Sequence, residues 1–189
     1  MRKKFLNYSQ CLLLQPFCKL VLSGQLEKLP EWILKIKSIV RIALCWSRLL
    51  DDPLKDLQAL PNLMHLRLYN AYGGEQLHIK CGGFQKLNNL GVQNLGGLNR
   101  LIIHEGALPL LVTLRIGPCP QLKEVLSGIH HLKCLKYLQF EEIPTEFVLS
   151  MQPNEGPDFG KVKHVPFVRF WYRILGVRYK CYKLGDSES

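Results

Sequence analysis

The stretch Leu111–Leu122, LVTLRIGPCPQL, continues as KEVLSGI to Ile129 and contains two features that point in different directions. Cys119 stands between Pro118 and Pro120, the setting of a reactive thiol or a metal ligand. Yet Leu111, Leu114, Ile116, Cys119 and Leu122 are spaced as LxxLxLxxCxxL. An LxL pair has period two, which puts both side chains on one face of a short strand. Whether that spacing recurs decides how Cys119 is to be understood.

It recurs every 24 residues, starting at Ile39, Leu63, Leu87, Leu111 and Leu135. Three and five residues beyond each start stand Ile42 and Leu44, Leu66 and Leu68, Leu90 and Val92, Leu114 and Ile116, Leu138 and Phe140. Three residues before each start stand Ile36, Leu60, Phe84, Leu108 and Leu132, so all four positions are apolar in all five units of a chain that is 47% hydrophobic. A shorter sixth unit begins at Phe17, with Leu20 and Leu22 in the same places. LxxLxL at such a period is the leucine-rich-repeat signature. The predicted fold class is therefore α/β: a curved solenoid with a parallel sheet on its concave face and loops and short helices on its convex face. One unit cannot bury its own leucines; stacked units enclose a continuous core. Cys119 falls at the Asn/Cys position of the pattern, where the side chain turns inward as the strand ends. It is expected to be a structural thiol, equivalent to Ser47, Ala71, Leu95 and Ile143.

Composition limits the other options. A chain of 189 residues with 21% charged residues suits one folded unit. No apolar run reaches the length of a membrane span, since CLLLQPFCKLVL is broken by Gln15, Pro16 and Lys19. The opening MRKKFLNYSQCLLL is basic, but its apolar part is too short for a signal peptide. The expected division is an N-terminal segment over 1–16, the start of a truncated chain; repeats over 17–150; a Pro/Gly linker over 151–160; and a basic, aromatic cap or tail over 161–189. Seven cysteines without a CxxC pair suit reduced thiols in a cytoplasmic protein. His130 with Cys134 and His78 with Cys81 each lack the second pair that a four-ligand zinc site needs, so no metal is expected.

No enzyme is expected either. GxSxG and HExxH do not occur, and the adjacent carboxylates Asp51-Asp52 and Glu141-Glu142 look like solvated turns. GxxxxGK[ST] is also missing, and the glycine-rich GVQNLGGLNR is a repeat strand and turn by the Leu87 register, so no cofactor is expected.

Binding is expected on the concave face, to which residues flanking the strand leucines point. Those residues are Arg41, Ala43 and Cys45; His65, Arg67 and Tyr69; Asn89, Gly91 and Gln93; Thr113, Arg115 and Gly117; Tyr137, Gln139 and Glu141. The candidates for protein contact are Arg41, His65, Arg67, Tyr69, Gln93, Arg115, Tyr137 and Gln139, with Arg and Tyr favoured as hot-spot residues. A second candidate surface is the tail. Lys161, Lys163, Arg169, Arg173, Arg178, Lys180 and Lys183 occur with no Asp or Glu between 161 and 183, interleaved with Phe167, Phe170, Trp171, Tyr172, Tyr179 and Tyr182. That mixture suits nucleic acid or an anionic membrane, or a strand whose aromatics cover the last repeat while its cations face water.

The blocks LSGQLEKLPEWI, DDPLKDLQALPNLMHLRLYNAYGGEQLHIKCGGFQKL, GALPLLVTLRIGPCPQLKEVLSGI and HVPFVRFWYR resemble the final repeats and tail of plant intracellular immune receptors. These are the nucleotide-binding leucine-rich-repeat proteins with an N-terminal coiled coil. The resemblance, from about Gln15 to Arg173, implies that the repeats bind protein: a pathogen effector, a guarded host protein, or the receptor's own nucleotide-binding domain, which they hold inactive. The family's ADP/ATP site falls outside this sequence, as do its coiled coil and switch. It implies a cytoplasmic location, with peripheral contact at the plasma membrane as an alternative, and does not imply nucleic acid as the partner.

Overall fold

The computed structural model describes residues 18–153, 155–174 and 178–185. Its main sheet has eight strands. These are β1 (Cys18–Ser23), β2 (Ile39–Cys45), β3 (His65–Tyr69), β5 (Asn89–Gln93), β7 (Thr113–Ile116), β8 (Tyr137–Glu141), β9 (Phe167–Ile174) and β10 (Arg178–Lys183), neighbours in that order. Strands β1 through β9 run parallel, and β10 turns back antiparallel to β9.

The stacking is in register because identical repeat positions meet. Leu66 lies beside Leu90, Leu90 beside Leu114, and Leu114 beside Leu138. The second leucine position forms another inward row, Leu44, Leu68, Val92, Ile116 and Phe140, in which every side chain is fully buried. Apolar burial contributes about 1.5–3 kcal/mol per such side chain, which outweighs the weak preferences of strands this short. On the convex side run α1 (Trp32–Lys35), α2 (Leu54–Leu57), α3 (Thr145–Leu149) and α4 (Phe159–Val162), each burying one or two apolar residues.

A second, two-stranded parallel ladder joins β4 (Gln76–Ile79) to β6 (Arg100–Ile103) behind the main sheet, with Leu77 beside Leu101 and Ile79 beside Ile103. Side chains from the preceding repeat cap its open edge. The two Asp52 carboxylate oxygens accept from the Leu54 N–H at 2.8 Å and the His78 N–H at 2.9 Å, and Gln58 Oε1 accepts from the Lys80 N–H at 2.9 Å. Asp52 is thus buried and structural, contrary to the solvated turn expected from its neighbour Asp51.

The strand ends share a device. Trp46, Asn70, Asn94 and Glu142 follow the third concave residue of their repeats, and all have positive φ, from 48 to 57°. That left-handed turn sends the next residue inward: Ser47, Ala71, Leu95 and Ile143 are all buried. The fourth repeat carries Pro118 at the left-handed position, where a ring that locks φ near −65° cannot comply. The turn moves one residue back to Gly117, at φ +103°, which a residue without Cβ adopts freely. Cys119 still arrives inside.

The repeat sheet does not end at 150. Val168 lies beside Leu138 and Phe170 beside Phe140, so β9 is a further repeat strand, reached after a unit of 30 rather than 24 residues. The extra length holds α3 and α4. The expected linker over 151–160 therefore includes the start of α4, and the region expected as a cap or tail contains a strand that covers the last repeat and continues the array. Val165-x-x-Val168-x-Phe170 carries the same LxxLxL spacing, and all three side chains are buried. Residues 1–16, expected as a separate segment, lie outside the described residues.

Candidate protein-binding face

Residues between the leucines form three columns across the concave face. The first runs Lys19, Arg41, His65, Asn89, Thr113, Tyr137 and Phe167. The second runs Val21, Ala43, Arg67, Gly91, Arg115, Gln139, Arg169 and Lys183. The third runs Ser23, Cys45, Tyr69 and Gln93, passes Gly117, and resumes at Glu141, Trp171 and Cys181. All eight expected protein-contact residues, Arg41, His65, Arg67, Tyr69, Gln93, Arg115, Tyr137 and Gln139, lie in these columns. Arg41, Arg67 and Arg115 are exposed; His65, Tyr69, Tyr137 and Gln139 are half-buried.

Gln93 departs from the expectation of a free contact side chain. It is 5% exposed and organises its neighbours. Its Oε1 accepts from Arg67 Nε at 3.2 Å, and its Nε2 donates to Glu141 Oε2 at 2.7 Å. The other Glu141 oxygen lies 3.5 Å from Arg115 Nε, and Arg115 donates twice to Gln139 Oε1, at 3.0 and 2.9 Å. Four strands are thereby joined by one polar network. Glu141 belongs to it, so the adjacent pair Glu141-Glu142 is not merely a solvated turn.

Aromatic side chains stand at both ends of the network. Trp46 and Tyr69 meet edge to face with centroids 5.5 Å apart, and Arg67 lies over the Tyr69 ring at 5.3 Å. Toward the other end Tyr137 stacks on Phe167 at 5.2 Å, and Arg169 lies 5.8 Å over Phe167. Such ring pairs, with Trp46 and Phe167 exposed and Tyr69 and Tyr137 half-buried, present large contact area at low entropic cost. Trp46, Phe167 and Trp171 were not among the expected contact residues. The Val165-x-x-Val168-x-Phe170 spacing carries the signal that would have placed Phe167 and Trp171 there; nothing in the repeat pattern marks Trp46. Burial first, and then the charge of Arg41, lower the pKa of the His65 imidazole.

The basic tail residues do not share one surface. Arg169 is on the concave face, and Arg173 follows it on β9, with its guanidinium donating to the Tyr179 hydroxyl at 2.9 Å. Lys180 is on the other side of the hairpin, over the Tyr182 ring at 4.7 Å. Lys161 pairs with Asp158 at 2.6 Å on α4, and Lys163 follows that helix. The side chain of Arg178 lies outside the described residues.

Cys119 is fully buried, and loss of hydration pushes its thiol up to about 11 despite hydrogen bonds with the backbone of Leu95 and Gly117. It is not the reactive group its prolines suggested. Among the described residues no group of His, Cys, Asp and Glu could hold a metal ion, and no helix is long and apolar enough to cross a membrane. A hollow of about 450 Å³ behind the sheet is lined by Asp52, Tyr72, His78 and His104. The Asp52 carboxylate there is already engaged by backbone N–H groups.

A parallel repeat sheet with this face has clear relatives. Over 155 residues, 82% of the chain, it is 31% identical to the disease resistance protein RPM1 of Arabidopsis thaliana. It is 35% identical over 133 residues, 70% of the chain, to the putative disease resistance protein At1g59780, and 31% identical over 153 residues, 80% of the chain, to the disease resistance protein RPP8, both of the same plant. The chain is homologous to the plant disease resistance proteins. It spans only 17% of the length of RPM1 and of RPP8 and 15% of At1g59780, so the homology is to one region of each disease resistance protein. No family profile and no solved structure matches it. The relationship supports a role in plant defence.

Proposed function

We propose that this chain is a protein-recognition module of plant innate immunity, acting by binding and not by catalysis. In that role the concave face engages a pathogen effector or a guarded host protein. It also engages the receptor's nucleotide-binding domain, which it restrains until ligand arrives. The supporting observation is the Arg67–Gln93–Glu141–Arg115 network, which holds polar side chains in fixed positions between two aromatic clusters. Binding surfaces built this way lose little side-chain entropy on association. The location consistent with such a role is cytoplasmic, including the inner surface of the plasma membrane.

Site-specific photo-cross-linking tests it. A cross-linker at Thr113, between the two aromatic clusters, should capture proteins from the plant's own extract whose yield falls about tenfold or more in Arg67→Ala/Tyr137→Ala, as expected when two hot-spot residues are removed. A cross-linker at Lys86, outside the three columns, should be insensitive to that double substitution. Equal capture from both positions, unaffected by the substitutions, would sink the proposal.

A further inference from the structure

We propose that the exposed guanidinium groups of Arg67 and Arg115, on either side of the buried Gly91, form a carboxylate socket that receives an acidic segment of the partner protein. This rests on the concave face being the protein-binding surface, and it adds the chemistry of the partner.

Three observations converge on the socket. The central column places cations on β3, β7, β9 and β10, namely Arg67, Arg115, Arg169 and Lys183, and the first column adds Lys19 and Arg41. Across all three columns the described residues include a single carboxylate, Glu141, whose two oxygens are already held by Gln93 and Arg115. The face is therefore basic, and its one internal anion is in use. Gly91 is the register partner of both Arg67 and Arg115, so no central-column side chain separates them, and the Gln93–Glu141 pair bridges them from the third column. Gln93 and Gln139 each tie down these arginines through Nε, the Gln139 contact using one terminal nitrogen of Arg115 as well. The remaining N–H groups are the ones suited to bidentate recognition of a carboxylate.

Spacing separates an acidic peptide from a polynucleotide. Strands lie about 4.8 Å apart, so successive cations on β3, β7 and β9 repeat at roughly 10 Å. A nucleic-acid strand carries a phosphate about every 3.4 Å along its axis, denser than this ladder. Separate acidic side chains, one helical double-turn apart at about 10.5 Å, fit the ladder.

The test uses the full chain and a synthetic alanine-rich helical peptide with glutamate at every seventh position, its binding followed by calorimetry at fixed ionic strength. A Cβ on Gly91 would meet Arg67 Cγ at 3.7 Å and Gln93 Oε1 at 3.9 Å, ordinary contacts, and circular dichroism of each Gly91 variant checks that the fold is kept. Gly91→Glu places an internal carboxylate in the socket and should weaken the peptide about tenfold or more, whereas Gln85→Glu, the same charge change on the convex side, should weaken it less than about threefold. Arg67→Gln and Arg115→Gln should each lose about fivefold. Equal losses in Gly91→Glu and Gln85→Glu would overturn the socket. So would an oligonucleotide of equal charge that binds more tightly than the peptide and shows the same Gly91→Glu sensitivity. If the peptide fails to bind while cross-linking from Thr113 still depends on Arg67 and Tyr137, the acidic partner falls and the protein-binding face stands. If both fail, both fall.

Discussion

Gln93 donates to Glu141 at 2.7 Å across the bare backbone of Gly117, although 48 residues separate them in sequence. The contact exists because Pro118 cannot take the left-handed turn that ends the other strands. The turn retreats to Gly117, and a position that would otherwise carry a side chain between Gln93 and Glu141 is left open. A proline on one loop thus shapes the polar network on the opposite, concave face.

Removing the buried end of that contact should be costly. A hydrogen bond to a charged acceptor contributes about 1.5–3 kcal/mol, so Gln93→Leu should lower stability by about that amount in urea unfolding. Glu141→Gln keeps an oxygen to accept from Gln93 and should cost less than Glu141→Ala. Equal costs for the two Glu141 variants would mean that the Gln93 contact is not what matters there.

The two concave glycines should respond oppositely to alanine. At Gly117, at φ +103°, an added Cβ would clash with the Glu141 carbonyl oxygen, so Gly117→Ala should cost about 3 kcal/mol or more. At Gly91 the nearest atom is 3.7 Å away and φ is not left-handed, so Gly91→Ala should be neutral or stabilising by up to about 1 kcal/mol. Melting temperatures of the two variants, measured side by side, check the contrast.

Cys119 makes stability fall in alkali. Its folded thiol is pushed up to about 11 from an ordinary value of 9.0, so the folded state keeps a proton that the unfolded state releases. The contribution is complete below pH 9 and is lost as pH rises toward 11, about 3 kcal/mol in all. Cys119→Ala should abolish that part of the slope in denaturation curves between pH 8.5 and 11. In the folded protein, a thiol reagent should label the exposed Cys81, Cys134 and Cys181 well before Cys119.

The C-terminal strands should be required for folding. Val168 and Phe170 cover Leu138 and Phe140, and Tyr182 and Leu184 pack against the same core, so deleting 161–189 leaves a repeat with its apolar row open. The truncated chain should aggregate, as measured by light scattering. Val168→Asp should be about as damaging as Leu114→Asp, since each buries a charge among aliphatic side chains. A monomeric, cooperatively folding deletion variant would show that β9 is an appendage after all.

The local code was legible where one repeat position does one job. LxxLxL at period 24, with a first unit of 22, located β1, β2, β3, β5, β7 and β8, put Cys119 inside, and assigned the concave residues of β2, β3, β5, β7 and β8 to their face, because period two admits only two sides. The same spacing at Val165, Val168 and Phe170 went unread as a repeat because it arrives after 30 residues and lies within a run of cations. The back ladder of β4 and β6 has its own 24-residue echo in Leu77 and Leu101, but only two units carry it. What the tertiary structure alone decided is which concave side chains meet. Gln93 and Asp52 look like surface residues by type, and each is buried because a neighbouring repeat supplies its partners, Arg67 and Glu141 for the one and the His78 backbone for the other. Periodicity reports what each residue does within its own repeat. Contacts between repeats depend on where strands stop, and at Pro118 a single fixed φ moved that stopping point.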